Sequence, residues 1–341
     1  MDCDGMVVAM QLQRPTLETV AAHAGVSRAT VSRVVNGSTS VRADLRARVE
    51  SSIRELGYVP DGSARTLVTR RGGAVAIVIC ERDSRAFDDP WFGEVVGAAR
   101  AELAEAGLQP VVMVAFDGAE QERCAEYLIG GRLDGALLLS LHDQQPLPRL
   151  LARVGLPTVA LGRPPDAAME LPYVDIDNSR GAAEAMNWLR RRGRSRIAAI
   201  AGPQDMPAAR DRLDGYRAAL GTEYRHSLVE SGDYSQRRAK QAMAALLHRE
   251  PDLDAVFVSS DTMARGAIET IRRTGRRIPD DVAVVGFDDI EHVSTDDPAL
   301  TTVHQPIAKE GRALVRCLLA QRHEHSEPII FPTHLVVRES A

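Results

Sequence analysis

Cysteine is scarce in this 341-residue chain, and its four copies stand far apart without a Cys-x-x-Cys pair. This spacing excludes a disulfide framework and a cysteine zinc site, and it favours a reduced, cytoplasmic protein. No apolar run approaches the roughly 20 residues that a membrane-spanning helix needs. The opening residues also lack the basic segment and long apolar stretch of a secretion signal. We therefore expect a disordered leader over residues 1–14, or a translation start at Met6 or Met10.

Lysine is almost absent, since only Lys240 and Lys309 occur, and arginine carries nearly all of the positive charge. Arginine suits phosphate and guanine recognition, but its spread over the whole chain also fits a genome-wide codon preference. The charge is uneven: the first 72 residues hold ten arginines against seven carboxylates, and the remainder holds 32 basic against 40 acidic residues. A small basic module on a larger acidic body predicts a polyanion partner for the module only.

Motifs of common enzyme chemistry are missing as well. The stretches AGPQD and GGRLDG lack the spacing and the lysine of a phosphate-binding loop, and no serine stands in a Gly-x-Ser-x-Gly elbow. His323 and His325 lie in the charged segment QRHEHSEP, where we expect solvated histidines rather than a metal site. The sequence therefore predicts no enzymatic activity, no cofactor and no metal.

Three short helices are predicted between Thr16 and Gly57. TLETVAAHA has Thr16 as its N-cap and ends at Gly25, and RADLRARVESSIRELG ends at Gly57. Between them, VSRATVSRVVNG predicts a helix that starts at Ser27 and stops at Asn36-Gly37. Its basic front carries Arg28, Ala29, Ser32 and Arg33, and its back carries Thr30, Val31 and Val34. Two short helices around a glycine-containing turn, closed by a third, are typical of a helix-turn-helix.

From Ala74 onward, short apolar runs such as AVAIVIC and VAVVGFDD alternate with amphipathic helical segments. Continuously apolar strands between helices predict parallel sheets that are covered on both faces. About ten such strands favour two sheets rather than one. Because ligands bind beyond the carboxyl ends of strands in such folds, the residues after each apolar run are candidates for a site.

These segments carry a resemblance to the LacI/GalR family of transcription regulators. The headpiece of that family resembles TLETVAAHAGVS, TVSRVVNG, VRADLRARVESSIRELGYVP and SARTL, and its sugar-binding core is similar in DIDNSRGA, RIAAIAGP, ARDRLDGY, GDYS, SSDTMARGA, DDVAVVGFDD and LTTVHQP. The resemblance implies an all-α helix-turn-helix domain over 15–60, a hinge helix over 61–73, and a periplasmic-binding-protein-like α/β core over 74–341. The core is expected to hold two parallel-sheet subdomains, about 74–174 with 303–326 and about 175–302 with 327–341.

The resemblance also implies roles in DNA binding. Arg33 matches an arginine that reads a base pair, and Arg28 with Ala29 occupies the positions that distinguish operators within the family. The remaining expected contacts are Thr16, Ser27, Thr30, Ser32 and Asn36, of which the last three suit phosphates. In the hinge, Leu67 matches a leucine wedge that opens the minor groove, and Ala64 matches its neighbour. Asp61 and Gly62 depart from the usual hinge residues.

For the effector site, the resemblance implies Arg210 as the arginine that holds sugar hydroxyls or a carboxylate, and Asp288 as the acceptor of ring hydroxyls. Tyr234 and Phe92 are expected to face each other across the ligand, with Trp91 as an alternative to its neighbour. Further candidates are Ser260, Asp261 and Arg163. Asp288 has an alternative reading as a helix cap, and Tyr234 has one as a core residue. Cys80-Glu81 replaces small polar residues and argues against direct sugar contact there.

The prediction is a homodimeric transcription factor, most often a repressor in this family, that binds double-stranded operator DNA under the control of a sugar or similar effector. The rival hypothesis is a sugar-binding module whose basic N-terminus has no role in DNA binding. The intact headpiece sequence and the missing secretion signal argue against that rival.

Overall fold

The structure is a computed structural model that describes residues 15–35, 38, 40–58, 72–130, 133–166, 168–291, 297–320 and 327–341. The chain divides after Gly72 into two compact units. The smaller unit contains three helices, α1 (Leu17–Ala24), α2 (Arg28–Val35) and α3 (Ala43–Leu56). Residues 59–71, which include most of the expected hinge over 61–73, and the expected leader lie outside the described residues, as do His323 and His325.

Local capping fixes where the helices of the smaller unit begin and end. The Thr16 hydroxyl accepts a hydrogen bond from the backbone N–H of Thr19 at 3.3 Å, which starts α1. The Ser27 hydroxyl accepts one from the backbone N–H of Thr30 at 3.2 Å, which starts α2. Gly25 and Gly57 end α1 and α3 with φ near +60°, a conformation that favours glycine. These four boundaries agree with the sequence predictions.

A small apolar core joins the three helices. Val31 and Val34 on the back of α2 are buried and pack with Val20 of α1 and Val49 of α3. Because these valines hold the back of α2, its opposite face stays in solvent. The amphipathic pattern of α2 therefore sets which of its residues a partner can reach.

The larger unit contains two six-stranded sheets. The first sheet has the order β11-β5-β4-β3-β1-β2, and the second has the order β12-β10-β9-β8-β6-β7. The strands are β1 (Ala74–Ile79), β2 (Gln109–Val114), β3 (Ala136–Leu139), β4 (Thr158–Leu161), β5 (Tyr173–Ile176), β6 (Ile197–Ala201), β7 (Val229–Ser231), β8 (Ala255–Val258), β9 (Ala283–Asp288), β10 (Thr301–His304), β11 (Ile329–Phe331) and β12 (His334–Val336). All pairings are parallel except that of β12 with β10.

Helices cover both faces of each sheet. They are α4 (Asp83–Asp88), α5 (Pro90–Glu105), α6 (Gly118–Ile129), α7 (Leu147–Arg153), α8 (Asn178–Arg191), α9 (Pro207–Leu220), α10 (Gln236–Arg249), α11 (Asp261–Arg273) and α12 (Ile307–Ala320). Helices α4 to α7 and α12 belong with the first sheet, and we call this assembly the first lobe. Helices α8 to α11 and the second sheet form the second lobe.

The chain crosses between the lobes three times, at positions that correct the expected boundaries. Strand β5 belongs to the first sheet and β10 to the second, so the first two crossings follow Ile176 and His304, two residues later than expected. Strand β11 still pairs with β5, so the third crossing follows Phe331 rather than residue 326. Strands of three or four residues carry too little pattern to show which sheet they join, because pairing decides this.

No helix in the described part of the chain is long and apolar enough to cross a membrane.

Candidate functional site

The outer face of α2 is the candidate surface for nucleic acid. Arg28, Ala29 and Arg33 are exposed, and Ser32 is half-buried on the same side. Thr30 is half-buried, and its hydroxyl lies 2.9 Å from that of Ser27, so both belong to the helix start. Thr16 is exposed at the start of α1. The structure thus describes seven of the ten predicted DNA contacts, while Asn36, Ala64 and Leu67 lie outside the described residues.

The two arginines of α2 differ in their surroundings. Arg28 Nε lies 2.8 Å from the Glu18 carboxylate of α1, and both side chains are mostly exposed. Among the described residues, no carboxylate lies within ion-pair distance of Arg33. Binding a phosphate or base through Arg28 therefore requires exchanging the Glu18 contact, whereas Arg33 presents its guanidinium directly.

A cavity of about 70 Å³, measured for the centre of a water molecule, lies between the two lobes at the carboxyl ends of their strands. Its polar wall carries three arginines and four carboxyl groups: Arg85, Arg163, Arg212, Asp89, Asp175, Asp288 and Glu310. Ser140, Asn178 and Gln305 add uncharged polar groups, and Trp91 and Tyr234 add aromatic surface. This location agrees with the general rule for parallel sheets.

Arg212 of α9 is the central cation of the second lobe. Its guanidinium donates to Asn178 Oδ1 at 2.8 Å, to the Ser259 carbonyl at 2.7 Å and to Asp288 Oδ1 at 3.0 Å. It also lies over the Phe287 ring, 3.7 Å from the centroid. These contacts hold a buried charge in one orientation at the cavity wall.

Arg210, the arginine expected to hold the effector, does not line the cavity. Arg210 Nη1 donates to the Asp143 carboxylate at 2.9 Å, and its side chain is 34% exposed. Two residues along a helix turn a side chain by about 200°, so Arg212 reaches the cavity while Arg210 points to the rim. The motif ARDRLDGY therefore places its second arginine, not its first, at the site.

Asp288 lies where the prediction placed it, at the end of β9 in the cavity wall. Its carboxylate accepts from Gln305 Nε2 at 2.6 Å and from Arg212. Burial raises the pKa of Asp288 to about 7, even though the Arg212 guanidinium opposes that rise. Its backbone has φ of +114°, a conformation rarely adopted outside glycine. Strained backbone at a cavity wall is typical of binding sites.

The aromatic residues expected at the effector site are placed differently by the structure. Tyr234 and Trp91 line the cavity, whereas Phe92 is 1% exposed and packs in the core behind, at 5.0 Å from the Trp91 ring centroid. Adjacent residues of a helix are turned by about 100° from each other, so only Trp91 of the two reaches the cavity. Arg85 lies over the Tyr234 ring, 4.3 Å from its centroid, and so connects the two lobes.

Ser260 and Asp261, two further residues expected at the effector site, do not line the cavity. The Ser260 hydroxyl accepts from the backbone N–H of Met263 and caps α11. The fully buried Asp261 carboxylate accepts from the Thr302 hydroxyl at 2.5 Å and from the backbone N–H of Ile290. Both side chains therefore form their hydrogen bonds within the second lobe.

Arg163, another residue expected at the effector site, lines the cavity and also joins the lobes. Its Nη2 donates to both carboxylate oxygens of Asp211 on α9, at 2.7 and 2.9 Å. Its backbone N–H donates to Asp175, whose pKa is raised by burial. Asp175 in turn accepts from Asn178 Nδ2 at 3.0 Å. The Arg163 guanidinium is therefore held at the edge of the cavity by its ion pair with Asp211.

Further contacts across the lobes centre on His142. Its Nδ1 lies 2.8 Å from Asp205 of the second lobe, and its Nε2 lies 3.1 Å from Glu81 of the first. Burial alone would lower the pKa of His142, but the two carboxylates outweigh it and raise the pKa. Burial alone would raise the pKa of Glu81, but its hydrogen bond with His142 and the charge of Arg85 outweigh burial and lower that pKa to about 2. Glu81 also accepts from Arg85, so it supports the site without lining it, as the prediction for Cys80-Glu81 anticipated.

Sequence reasoning missed several cavity residues, notably Arg85, Asp89, Asn178, Gln305 and Glu310. Asn178 and Gln305 follow β5 and β10 directly, so the rule that ligands meet strand ends was available for both. Arg85 and Glu310 lie on helices, where one polar residue among others gives no signal. Among the described residues, no cluster of histidine, cysteine and carboxylate side chains is arranged to hold a metal.

A helix-turn-helix unit followed by a two-lobed core with a polar cavity defines a ligand-controlled DNA-binding protein. Residues 16–61 match the family model described as bacterial regulatory proteins of the lacI family, and residues 186–341 match a periplasmic binding protein-like domain. The chain is 47% identical to the HTH-type transcriptional regulator CelR of Thermobifida fusca, over 96% of this chain and 98% of CelR. The protein therefore belongs to the LacI family of DNA-binding transcription regulators.

Solved structures agree with this assignment. A CelR–cellobiose complex is 44% identical, covers 96% of this chain and 100% of its own, and superposes with a TM-score of 0.77. The lac repressor dimer bound to operator and an anti-inducer is 27% identical, with 96% and 99% coverage and a TM-score of 0.84. These relatives are transcription regulators rather than enzymes, and the rival of a sugar-binding module without a DNA-binding role is not supported.

Proposed function

We propose that this regulator is a cytoplasmic repressor whose affinity for its operator is controlled by a sugar, with cellobiose as the first candidate. The observation that carries the proposal is the cavity between the lobes, where the Arg212–Asp288 pair stands opposite aromatic surface. Charged groups that fix hydroxyls beside rings that cover C–H faces are the usual composition of a sugar site. The identity to CelR, whose complex contains cellobiose, supports the choice of sugar.

The proposed effector contacts follow from the cavity wall. Arg212 and Asp288 bind hydroxyls, Tyr234 and Trp91 cover the sugar faces, and Arg163 closes the edge. Phe92 supports Trp91 from behind. Ser260 and Asp261 act on the ligand only through the second lobe that they stabilise, and Arg210 acts at the rim.

The proposed DNA contacts lie on the outer face of α2. Arg33 reads a guanine in the major groove, Arg28 and Ala29 read neighbouring base pairs, and Thr30, Ser32 and Asn36 bind phosphates, with Thr16 and Ser27 at the helix starts. Two copies of the chain bind a pseudo-palindromic operator, since the symmetry of a homodimer imposes that of its site. Ala64 and Leu67 of each hinge contact the minor groove.

The proposed control works through the angle between the lobes. Ion pairs cross the boundary on the cavity rim, from Arg163 to Asp211 and from Asp143 to Arg210, and Thr262 donates to Asp89 at 3.2 Å. A ligand that contacts both lobes changes the relative stability of these contacts between the lobes. It therefore favours one angle between the two lobes over the others. Operator must then weaken sugar binding by the same factor by which sugar weakens operator binding.

The test is fluorescence anisotropy with an operator selected by the full-length protein from random-sequence DNA duplexes. We expect a palindromic consensus, tight binding at fixed salt, and release by cellobiose at concentrations where maltose and lactose have no effect. The Arg33→Ala variant should lose operator binding and keep sugar binding, whereas Arg54→Ala on α3 is the matched control. A selection without a consensus would refute the DNA-binding proposal, and release by no sugar would refute the sugar proposal.

A further inference from the structure

Two buried polar atoms of the cavity wall have no hydrogen-bond partner among the described residues. They are Oε1 of Glu310, on the first turn of α12, and Nε of Arg85, on α4. Glu310 is 2% exposed, and both residues line the cavity from the first lobe. Leaving a buried polar atom without a partner is unfavourable, so such atoms in a cavity wall point to a ligand that supplies the missing hydrogen bonds.

The two atoms require opposite hydrogen-bonding chemistry. Arg85 Nε lies 3.7 Å from the Asp89 carboxylate, beyond hydrogen-bond distance, so its N–H can still donate to an acceptor. The Glu310 carboxyl offers oxygens that accept from a donor. A hydroxyl group is both donor and acceptor, so a ligand rich in hydroxyls satisfies both needs. An apolar ligand would leave both atoms unpaired and would bury them further.

The charges of the wall exclude an anionic ligand. Each guanidinium already faces a protein carboxylate: Arg212 pairs with Asp288, Arg163 with Asp211, and Arg85 with Glu81. Carboxyl groups outnumber guanidiniums in the wall, and none of the three guanidiniums remains uncompensated for a phosphate or a carboxylate. A charged phosphate would therefore enter a site whose remaining groups repel it.

Glu310 is surrounded by groups that make its charge unfavourable. Burial raises its pKa to about 8, and Asp175 and Asp288 nearby add to that effect while Arg212 opposes it. A protonated carboxyl both donates and accepts hydrogen bonds, and it does so without bringing a charge into the cavity. The Glu310 carboxyl can therefore form a hydrogen bond with a neutral hydroxyl whether that hydroxyl donates or accepts.

We infer that Glu310 is a specificity-determining residue of this cavity, which binds a hydroxyl of an uncharged sugar and excludes its phosphorylated or carboxylate counterparts. The inference rests on the proposed function, because it names the ligand class of the same site. Glu310 and Arg85 each bring an unpaired hydrogen-bonding atom from the first lobe, and the Arg212–Asp288 pair belongs to the second. A hydroxyl between them links ligand binding to both lobes.

The test is isothermal titration calorimetry of the full-length protein with cellobiose and with cellobiose 6′-phosphate, and with glucose and glucose 6-phosphate as a second pair. We expect each neutral sugar to bind at least about tenfold more tightly than its phosphate. Glu310→Leu should weaken binding of the neutral sugar by about tenfold, and Glu310→Gln should weaken it less, because the amide keeps hydrogen-bonding capacity. Lys309→Gln is the matched control: it removes a charge from an exposed neighbour on the same helix.

A second measurement separates a ligand contact from a structural role. The thermal midpoint of the ligand-free Glu310→Leu protein should equal or exceed that of the wild type, since the substitution removes an unpartnered buried carboxyl. A lower midpoint with unchanged sugar affinity would overturn the inference and leave the proposed function intact. Equal or tighter binding of the phosphates would also overturn it. Binding of none of the four sugars would overturn the proposed function, and the inference with it.

Discussion

Replacing Arg212 by methionine tests the central ion pair of the second lobe. The side chain is 7% exposed, and it donates three hydrogen bonds of 2.7 to 3.0 Å, one of them to the Asp288 carboxylate. Methionine fills most of the volume but leaves a buried carboxylate without its cation. Breaking a buried pair in this way costs about 3–5 kcal/mol, a large share of the roughly 5–15 kcal/mol that stabilises a typical domain.

Arg210 provides a matched control on the same helix. It also pairs with a carboxylate, Asp143, but the two side chains are 34% and 42% exposed. Exposed pairs contribute about 0.2–1 kcal/mol, so Arg210→Met should cost less than about 1 kcal/mol. The chemical change is identical, so the difference between the two variants measures what burial and the additional hydrogen bonds of Arg212 contribute.

The assay is urea-induced unfolding of the full-length protein, followed by circular dichroism at several pH values without effector. Asp288 can accept a proton when its cation is removed, which limits the loss at low pH. Its pKa is already raised to about 7, so the loss caused by Arg212→Met should grow as the pH rises above 7. Adding Asp288→Asn, which still accepts from Gln305, should restore more than half of the lost free energy.

Two results would refute this reasoning. One is an Arg212→Met variant that loses no more stability than Arg210→Met. The other is a double variant that is no more stable than the Arg212→Met single variant, because the cost would then not come from the uncompensated Asp288 charge.

Three further predictions follow from the contacts described. Arg33→Ala should cost about 1–3 kcal/mol on the operator and much less on random DNA, measured by anisotropy; equal losses would make Arg33 a phosphate contact. The pKa of His142 is raised, so its contribution to stability is full below about pH 6.5 and is lost as the pH rises through its folded pKa. The difference in unfolding free energy between wild type and His142→Asn should therefore shrink over that range of pH. A difference that stays constant would contradict a stabilising contact of His142 with Glu81 and Asp205. Gly202→Ala should weaken sugar binding without changing operator affinity in the absence of sugar, because a Cβ there would overlap the Tyr234 ring; calorimetry checks this, and unchanged sugar affinity would show that Tyr234 is not a ligand contact.

The sequence by itself determined the local structure of the headpiece and the class of the core. Thr16, Ser27, Gly25 and Gly57 act within one or two turns of their own helices, so their capping role follows from residue type and position. The apolar runs between amphipathic helices fixed parallel sheets for the same reason, since burial on both faces selects such residues. The exposed face of α2 and the strand-end position of Asp288 could also be predicted.

The tertiary structure alone decided which residue at or near each predicted position faces the cavity. Arg212 rather than Arg210, and Trp91 rather than Phe92, reach the cavity because the packing of α9 and α5 fixes their rotation. Ser260 and Asp261 were predicted at the site, but their hydrogen bonds turn inward to Met263, Ile290 and Thr302. Periodicity gives the spacing of a helical face, but the direction of that face depends on its neighbours.

Glu310 and Arg85 are the residues whose place in the cavity could least be predicted from the sequence. In the sequence, each is an ordinary charged residue of a helix, and nothing local marks it as buried or unpartnered. Only the meeting of two lobes, whose strands come from distant parts of the chain, encloses them in one cavity and compensates the neighbouring charges. The environment of a buried polar atom is set by contacts between residues far apart in sequence, so it is decided when the lobes assemble.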